Sequence, residues 1–184
     1  NGKTASSGKI NEVCIYFENQ LYRGNRTVKV NAEHFEAFRS PNFPVLAEAG
    51  VHIKYKNYLK KINGNFQPHS QFSNDVSILK LFPGITIKSM QAVIESTKGV
   101  IIESFGTGNA PTSSEFSNLL NKAIKKGKII VNITQCLHGN VLLGAYEASD
   151  AFVKSGVICG KDMTTEAAIT KLMFLLGNGL TDDE

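Results

Sequence analysis

"GVIIESFGTGNAPTSSEFSNLLNKAIKKGKIIVNIT", residues 99–134, holds one complete structural unit. "GVIIESF" is a nearly continuous apolar run, the pattern of a strand covered on both faces. It breaks at Gly106-Thr107-Gly108-Asn109. Phe116, Leu119, Leu120, Ala123 and Ile124 then recur at i, i+3, i+4 spacing, which predicts a helix with one apolar stripe. Thr112 as N-cap and Glu115 three residues on form a capping box, and Gly127 ends the helix. "KIIVNIT" starts the next strand.

The unit recurs on both sides. "VSILKLF" precedes Pro83-Gly84 and the helix pattern "IKSMQAVIES". "KIIVNIT" precedes "QCLHG" and "GAYEASDAFVKSG". A short "VIC" precedes "GKDMT" and "TEAAITKLMFLLG". Strands that alternate with helices predict a parallel sheet with right-handed crossovers. All strand-to-helix loops then leave one edge, and ligands of open parallel sheets bind outside the carboxyl ends of the strands. Residues 83–84, 106–111, 135–139 and 160–164 therefore share a rim, where chemistry is to be sought.

Upstream the pattern changes. "VCIYF" predicts a strand, "ENQ" a turn and "LYRG" a returning strand. "AEHFEAFRS" predicts a short helix that stops before Pro41. "FPVLAEAG" predicts one further helical turn, and "VHIKY" alternates as a strand. Residues 56–75 are rich in Asn, Ser, Gln and Lys without sustained period and read as a linker. The expected division is 1–55, linker 56–75, and an α/β unit over 76–184. Both ends read as cut: "EVCIYF" follows a polar tail with nothing before it to pair with, and Thr181 in "LTDDE" reads as the N-cap of a helix that does not continue.

The composition excludes several classes. Of 184 residues, 42% are hydrophobic and 20% charged, as in a soluble globular chain. The net charge is +4, but the 20 basic residues are scattered. Lys60-Lys61 and Lys125-Lys126 with Lys128 do not interleave with aromatics, so no nucleic-acid partner is expected. No apolar run approaches the ~20 residues of a membrane span, and "NGKTASSGK" is no signal peptide. Cys14, Cys136 and Cys159 lack C-x-x-C spacing and read as reduced thiols of a cytoplasmic protein. The histidines (His34, His52, His69, His138) lack metal spacing. Neither a metal nor a cofactor is expected.

Each rim feature has two readings. Gly106-Thr107-Gly108-Asn109 reads first as a tight turn, since it lacks the third glycine of a dinucleotide fingerprint, though it could offer backbone N–H groups and an amide to a ligand. Cys136 reads as a structural thiol, because adjacency to His138 makes no dyad. Tyr146 either covers the sheet or extends its hydroxyl over the rim. Asp162 or Thr164 caps the last helix, with Glu166 in its first turn. Arg23-Gly24-Asn25-Arg26 either binds an anion or fixes its own loop.

Taken together, several strings carry a resemblance: "INEVCIYFENQLYRGNRTVKVNAEHFEAFRSPNFPVLAEAGVHIKY", "LFPGI", "GTGNAP", "VNITQCLHGNVLLGAY" and "SGVICGKDMTTEAAITKLMFLLG". In order and spacing they resemble the C-terminal portion of a cytoplasmic (type I) bacterial L-asparaginase. The resemblance implies an α/β fold: a parallel-sheet C-terminal domain with helices on both faces, preceded by the last strand and connection of an otherwise missing N-terminal α/β domain. It implies hydrolysis of L-asparagine to L-aspartate and ammonia by a homodimer or homotetramer. The family's threonine nucleophile lies in a T-G-G-T segment, and a second threonine and an aspartate in a G-T-D segment. Neither motif occurs here, so no catalytic residue is expected in this chain, the catalytic core is expected upstream of it, and the chain alone is expected to be inactive.

The resemblance also implies that Asn109 helps hold the substrate's amino group, and that Tyr146 lies near the site. An effector site in some type I enzymes uses the cysteine of T-Q-C, here Cys136. Its arginine falls at Glu103, an acid that would repel an effector's carboxylate. Two alternatives stand beside this reading. One is a glutaminase or asparaginase-like amidotransferase subunit on the same scaffold, and the other is a non-catalytic amino-acid-sensing module.

Overall fold

A computed structural model describes residues 8–57, 59, 68–144 and 149–179. The chain divides into two compact units, Asn1–His69 and Ser70–Glu184.

The first unit is an antiparallel sheet. Strands β1 (Cys14–Phe17) and β2 (Gln20–Arg23) form a hairpin with Phe17 opposite Gln20. Glu18 and Asn19 close it, both at positive φ (45° and 62°). That left-handed pair matches the twist of the strands it joins. Strand β3 (Val28–Lys29) pairs with β4 (Phe38–Arg39), while β5 (Ala47–Ala49) pairs with both β2 and β6 (Ile53–Tyr55). The order of the four-stranded sheet is β1-β2-β5-β6. Leu21, Leu46 and Ala47 make its small core.

Two helical expectations fail here. Residues 32–40 hold no helix: the Asn31 carboxamide oxygen accepts from the Glu33 and His34 N–H groups at 2.9 and 3.0 Å, which spends two donors a helix start would use. Phe38 then enters β4 and meets Phe17 edge-on, 5.1 Å between centroids. The turn expected in 43–50 is strand β5, recruited when the Leu46 N–H donates to the Leu21 carbonyl at 2.7 Å. The Arg23–Arg26 segment fixes its own loop. The Arg23 guanidinium pairs with Glu12, its Nη2 at 3.1 Å from Oε1, and stacks 4.2 Å from the Phe43 ring.

The second unit follows the predicted alternation. Strands β7 (Val76–Lys80), β8 (Gly99–Ser104), β9 (Ile129–Thr134) and β10 (Ile158–Cys159) make one parallel sheet in sequential order. Between them lie α1 (Ile87–Ser96), α2 (Ser114–Lys125) and α3 (Asp150–Ser155), and α4 (Thr165–Gly177) follows β10. Three of the four helices start on a side-chain cap, while the Ser149 hydroxyl before α3 accepts from Gly144 N–H instead. Thr86 accepts from Ser89 N–H, Ser113 from Phe116 N–H and Thr164 from Ala167 N–H. Ser113, one residue past the expected Thr112, thus caps α2, and Thr164 rather than Asp162 caps α4.

Strand alternation divides the core between two faces. Val100 and Ile102 join Met90, Ile94, Phe116, Leu120 and Phe152 under α1–α3. Ile101 and Ile133 face Ala168 and Leu172 of α4. Helices therefore cover both faces. Phe116, fully buried and edge-on to Phe152 at 5.8 Å, stabilises the first face by about 2–3 kcal/mol. Residues 71–73 are bound to α4: Ser73 N–H donates to the Met173 carbonyl and Asn178 Nδ2 to the Gln71 carbonyl.

Candidate functional site

The four parallel strands bring their carboxyl ends to one edge, so the four loops singled out in the sequence share that rim. The turn after β8 is the most closely determined. Phe105 and Asn109 bond reciprocally, with Phe105 N–H to the Asn109 carbonyl at 3.0 Å and Asn109 N–H to the Phe105 carbonyl at 2.8 Å. Gly108 N–H adds a third bond to the Phe105 carbonyl at 3.0 Å. Gly108 has φ +115°, and a Cβ there would stand 2.9 Å from Val141 Cγ1. Only glycine satisfies both the backbone and the space.

Neighbouring loops fasten this turn. Thr134 Oγ1 donates to the Gly106 carbonyl and accepts from Cys136 N–H at 3.0 Å. Leu142 N–H donates to the Thr107 carbonyl at 2.9 Å, and Val141 N–H to the Lys161 carbonyl at 3.0 Å. Gln135 reaches back across two strands, its Nε2 donating to the Leu81 and Glu103 carbonyls at 2.6 and 2.8 Å. The end of β7 and the loops after β8, β9 and β10 are thus one hydrogen-bonded assembly.

Within it, Thr134 ties the Gly106 carbonyl of the Asn109 turn to the Cys136 N–H. Cys136 is exposed. Asn109 Oδ1 is buried and has no hydrogen-bond partner among the described residues. Glu103 turns the other way. It is 9% exposed, accepts from Thr165 Oγ1 at the start of α4, and lies 3.7 Å from Lys80 Nζ. Its carboxylate is engaged on the α4 face of the sheet. Tyr146 lies outside the described residues, as does Thr181.

The structure adds residues that the motif reading passed over. Thr134 and Gln135 do the fastening, and their signal was present: two polar residues close an apolar strand at the rim. Asn132 in β9 is fully buried, and neither its Oδ1 nor its Nδ2 has a partner among the described residues. Its signal was an amide at a core-facing position of "KIIVNIT". Among the described residues no three His, Cys, Asp or Glu side chains gather as a metal site, and no helix is long and apolar enough to cross a membrane. What the rim holds is a turn fixed by its own hydrogen bonds and by those of neighbouring loops, with the Asn109 amide oxygen buried in it and the Cys136 thiol exposed in the loop after β9.

Comparison with known proteins agrees in both units. Residues 75–184 match the family model of the glutaminase/asparaginase C-terminal domain, and residues 3–61 match that of the asparaginase N-terminal domain. The chain is 40% identical over 179 residues to L-asparaginase 1 of Escherichia coli K12, covering 96% of this chain and 53% of that protein. It is 44% identical over 179 residues to the human 60 kDa lysophospholipase, covering 95% of this chain and 31% of that protein. Among solved structures it is similar to L-asparaginase I of Vibrio cholerae, with TM-score 0.87, 40% identity, and coverage of 94% of this chain and 53% of that one. The chain spans about half the length of the bacterial relatives it matches, and less of the human one.

Proposed function

The chain belongs to the glutaminase/asparaginase family, and on that premise we propose that it is the C-terminal part of a cytoplasmic L-asparaginase. The reaction is hydrolysis of a side-chain amide: water adds, ammonia leaves and L-aspartate remains. We read the chain as 1–55 from the first domain, a linker over 56–75, and the second domain over 76–184. The active assembly is a homodimer or homotetramer.

The observation that carries this reading is Asn109. A turn held by Thr134, Leu142 and its own reciprocal bonds carries a buried amide oxygen without a donor. An α-ammonium group supplies such donors, and holding it fixes the amide carbon relative to a nucleophile. Tyr146, on the approach to α3, is assigned to the same substrate. The 184 residues contain no T-G-G-T and no G-T-D segment, so the threonine that attacks and the acyl-enzyme it forms belong to other residues of the intact protein. Cys136 stays on the exposed rim as an effector-side candidate. No effector carboxylate is placed at Glu103, whose own charge is taken up by Thr165 and Lys80.

Ammonia release tests the proposal. The full-length protein should hydrolyse L-asparagine, and the 184-residue chain alone should release none above the blank. A full-length protein inactive on asparagine would overturn the reading. The family's name also covers glutaminases, so kcat/KM on L-glutamine decides between the two amides. A lysophospholipid serves as a third substrate, because one matched relative bears that name.

A further inference from the structure

Thr134, the last residue of β9, stands opposite Ser104, the last of β8, and Gln135 N–H donates to the Ser104 carbonyl at 3.0 Å. Beyond that bond the chain turns at Gly106 (φ +50°), and the Thr134 side chain takes over where the backbone ladder ends. A hydroxyl carries one proton. Thr134 Oγ1 gives it to the Gly106 carbonyl and turns a lone pair to the Cys136 N–H at 3.0 Å, so both bonds are fixed in direction. Thr134 is 8% exposed, which keeps solvent from competing for them. The bond from Leu142 to Thr107 and those between Phe105 and Asn109 run from backbone to backbone, and any residue but proline can donate them. Of these fastenings, only that of Thr134 depends on the side chain. Valine has nearly the same branched shape and suits a strand end, so packing does not call for the hydroxyl. Stability gives little further reason. Gly106 and Cys136 are exposed residues, and water can replace both bonds when the hydroxyl is lost. What water cannot replace is the tether.

We propose that Thr134 is a positioning residue for Asn109, a role that rests on the asparaginase reading of that residue. Its hydroxyl ties the start of the glycine turn to β9, and the reciprocal Phe105–Asn109 bonds carry that placement on to Asn109. Ser104 is the internal contrast. It is fully buried beside Thr134, but its hydroxyl donates to the Ile133 carbonyl at 3.1 Å, within the sheet. Of two neighbouring hydroxyls, one serves the sheet and the other the turn.

The test uses the full-length protein with Thr134→Val, Thr134→Ser and Ser104→Ala. Its readouts are melting temperature, KM and kcat on L-asparagine, and amide hydrogen exchange at residues 106–109. We expect Thr134→Val to melt within about 5 °C of the parent, to raise KM about tenfold with kcat changed less than about threefold, and to exchange faster at 106–109. Thr134→Ser keeps the donor and acceptor and should stay within about threefold of the parental KM. Ser104→Ala should keep the parental KM whatever it loses in melting temperature. In an active parent, a folded Thr134→Val with parental KM would overturn the proposal, as would a Ser104→Ala whose KM rises as far. Should Thr134→Val not fold, Thr134→Ala takes its place, and a KM equal to that of Thr134→Ser would overturn the role. In a parent that hydrolyses no asparagine, the asparaginase reading falls alone. Parental exchange at 106–109 in Thr134→Val would then overturn the tether.

Discussion

Replacing Gly108 by alanine sets two costs on one atom. At φ +115° the added Cβ sits in backbone space that costs an L-residue about 1–2 kcal/mol. It also stands 2.9 Å from Val141 Cγ1, inside van der Waals contact. Val141 cannot easily retreat: it is 2% exposed, and its N–H is bonded to the Lys161 carbonyl. Overpacking of this kind costs about 1–3 kcal/mol. Gly127 is the control, since it has φ +80° and nothing within 4 Å of the same added atom. Gly127→Ala carries a backbone cost without the clash, so the difference between the two variants reports the packing together with the extra strain of φ +115°. With a slope of about 2 kcal/mol per molar urea, their midpoints should differ by about 0.5–1.5 M. The protein has no Trp, so far-UV circular dichroism is the natural probe. Coincident midpoints would contradict the close approach of Gly108 to Val141. Val141 would then yield freely, and the claim that the rim loops seat the Asn109 turn would fall with it.

Other perturbations separate buried from exposed interactions. Glu12→Ala removes the carboxylate of a buried ion pair with Arg23, whose side chain is 11% exposed, and should destabilise the first unit by about 3 kcal/mol. Asp150→Ala breaks an exposed pair with Lys154 and should cost about 0.5 kcal/mol or less. Native-state hydrogen exchange at β2 and α3 measures both, and equal losses would contradict the assigned geometry. A chromogenic thiol reagent should modify exposed Cys136 first, and Cys136→Ser should remove that fast phase. Burial pushes the Cys14 thiol up, the Glu12 carboxylate adds to this and Arg23 opposes it. Cys14 therefore stays protonated where an ordinary thiol has begun to ionise, and its slow phase should grow only toward higher pH. A Cys14 that reacts as fast as Cys136 at neutral pH would contradict its burial.

The second unit was legible because its signals are local. A strand covered on both faces is apolar along its length, a helix stripe repeats within four residues, and caps and glycine stops lie beside the elements they bound. β8 and α2 show this, and the only adjustment was a cap moved from Thr112 to Ser113. The first unit depends on partners far away in the chain. Ala32, Phe35 and Phe38 carry helical spacing, yet Phe38 is needed against Phe17, and Asn31 diverts the N–H groups a helix would start from. β5 is three residues long and exists through Leu21 and Tyr55, which no local period reveals.

The rim was legible as a place before it was legible as residues. Parallel strands fix where ligands meet a sheet, and Asn109 stands in a glycine turn that catches the eye. Thr134 and Gln135 act by reaching other loops, which depends on which strands are neighbours. Asn132 was hidden inside a hydrophobic run and emerges only when its partners are sought.

The attachment of residues 71–73 to α4 bears on how the protein is made. Gln71 and Asn178 are 107 positions apart. At ordinary elongation rates of about 5–20 residues per second, roughly 5–20 s separate their synthesis. During that interval α1–α3 can already shelter one side of the sheet, but Ile101 and Ile133 have no cover until α4 leaves the ribosome. Until α4 follows them, the nascent chain therefore carries a bare apolar surface, the kind of surface a chaperone binds.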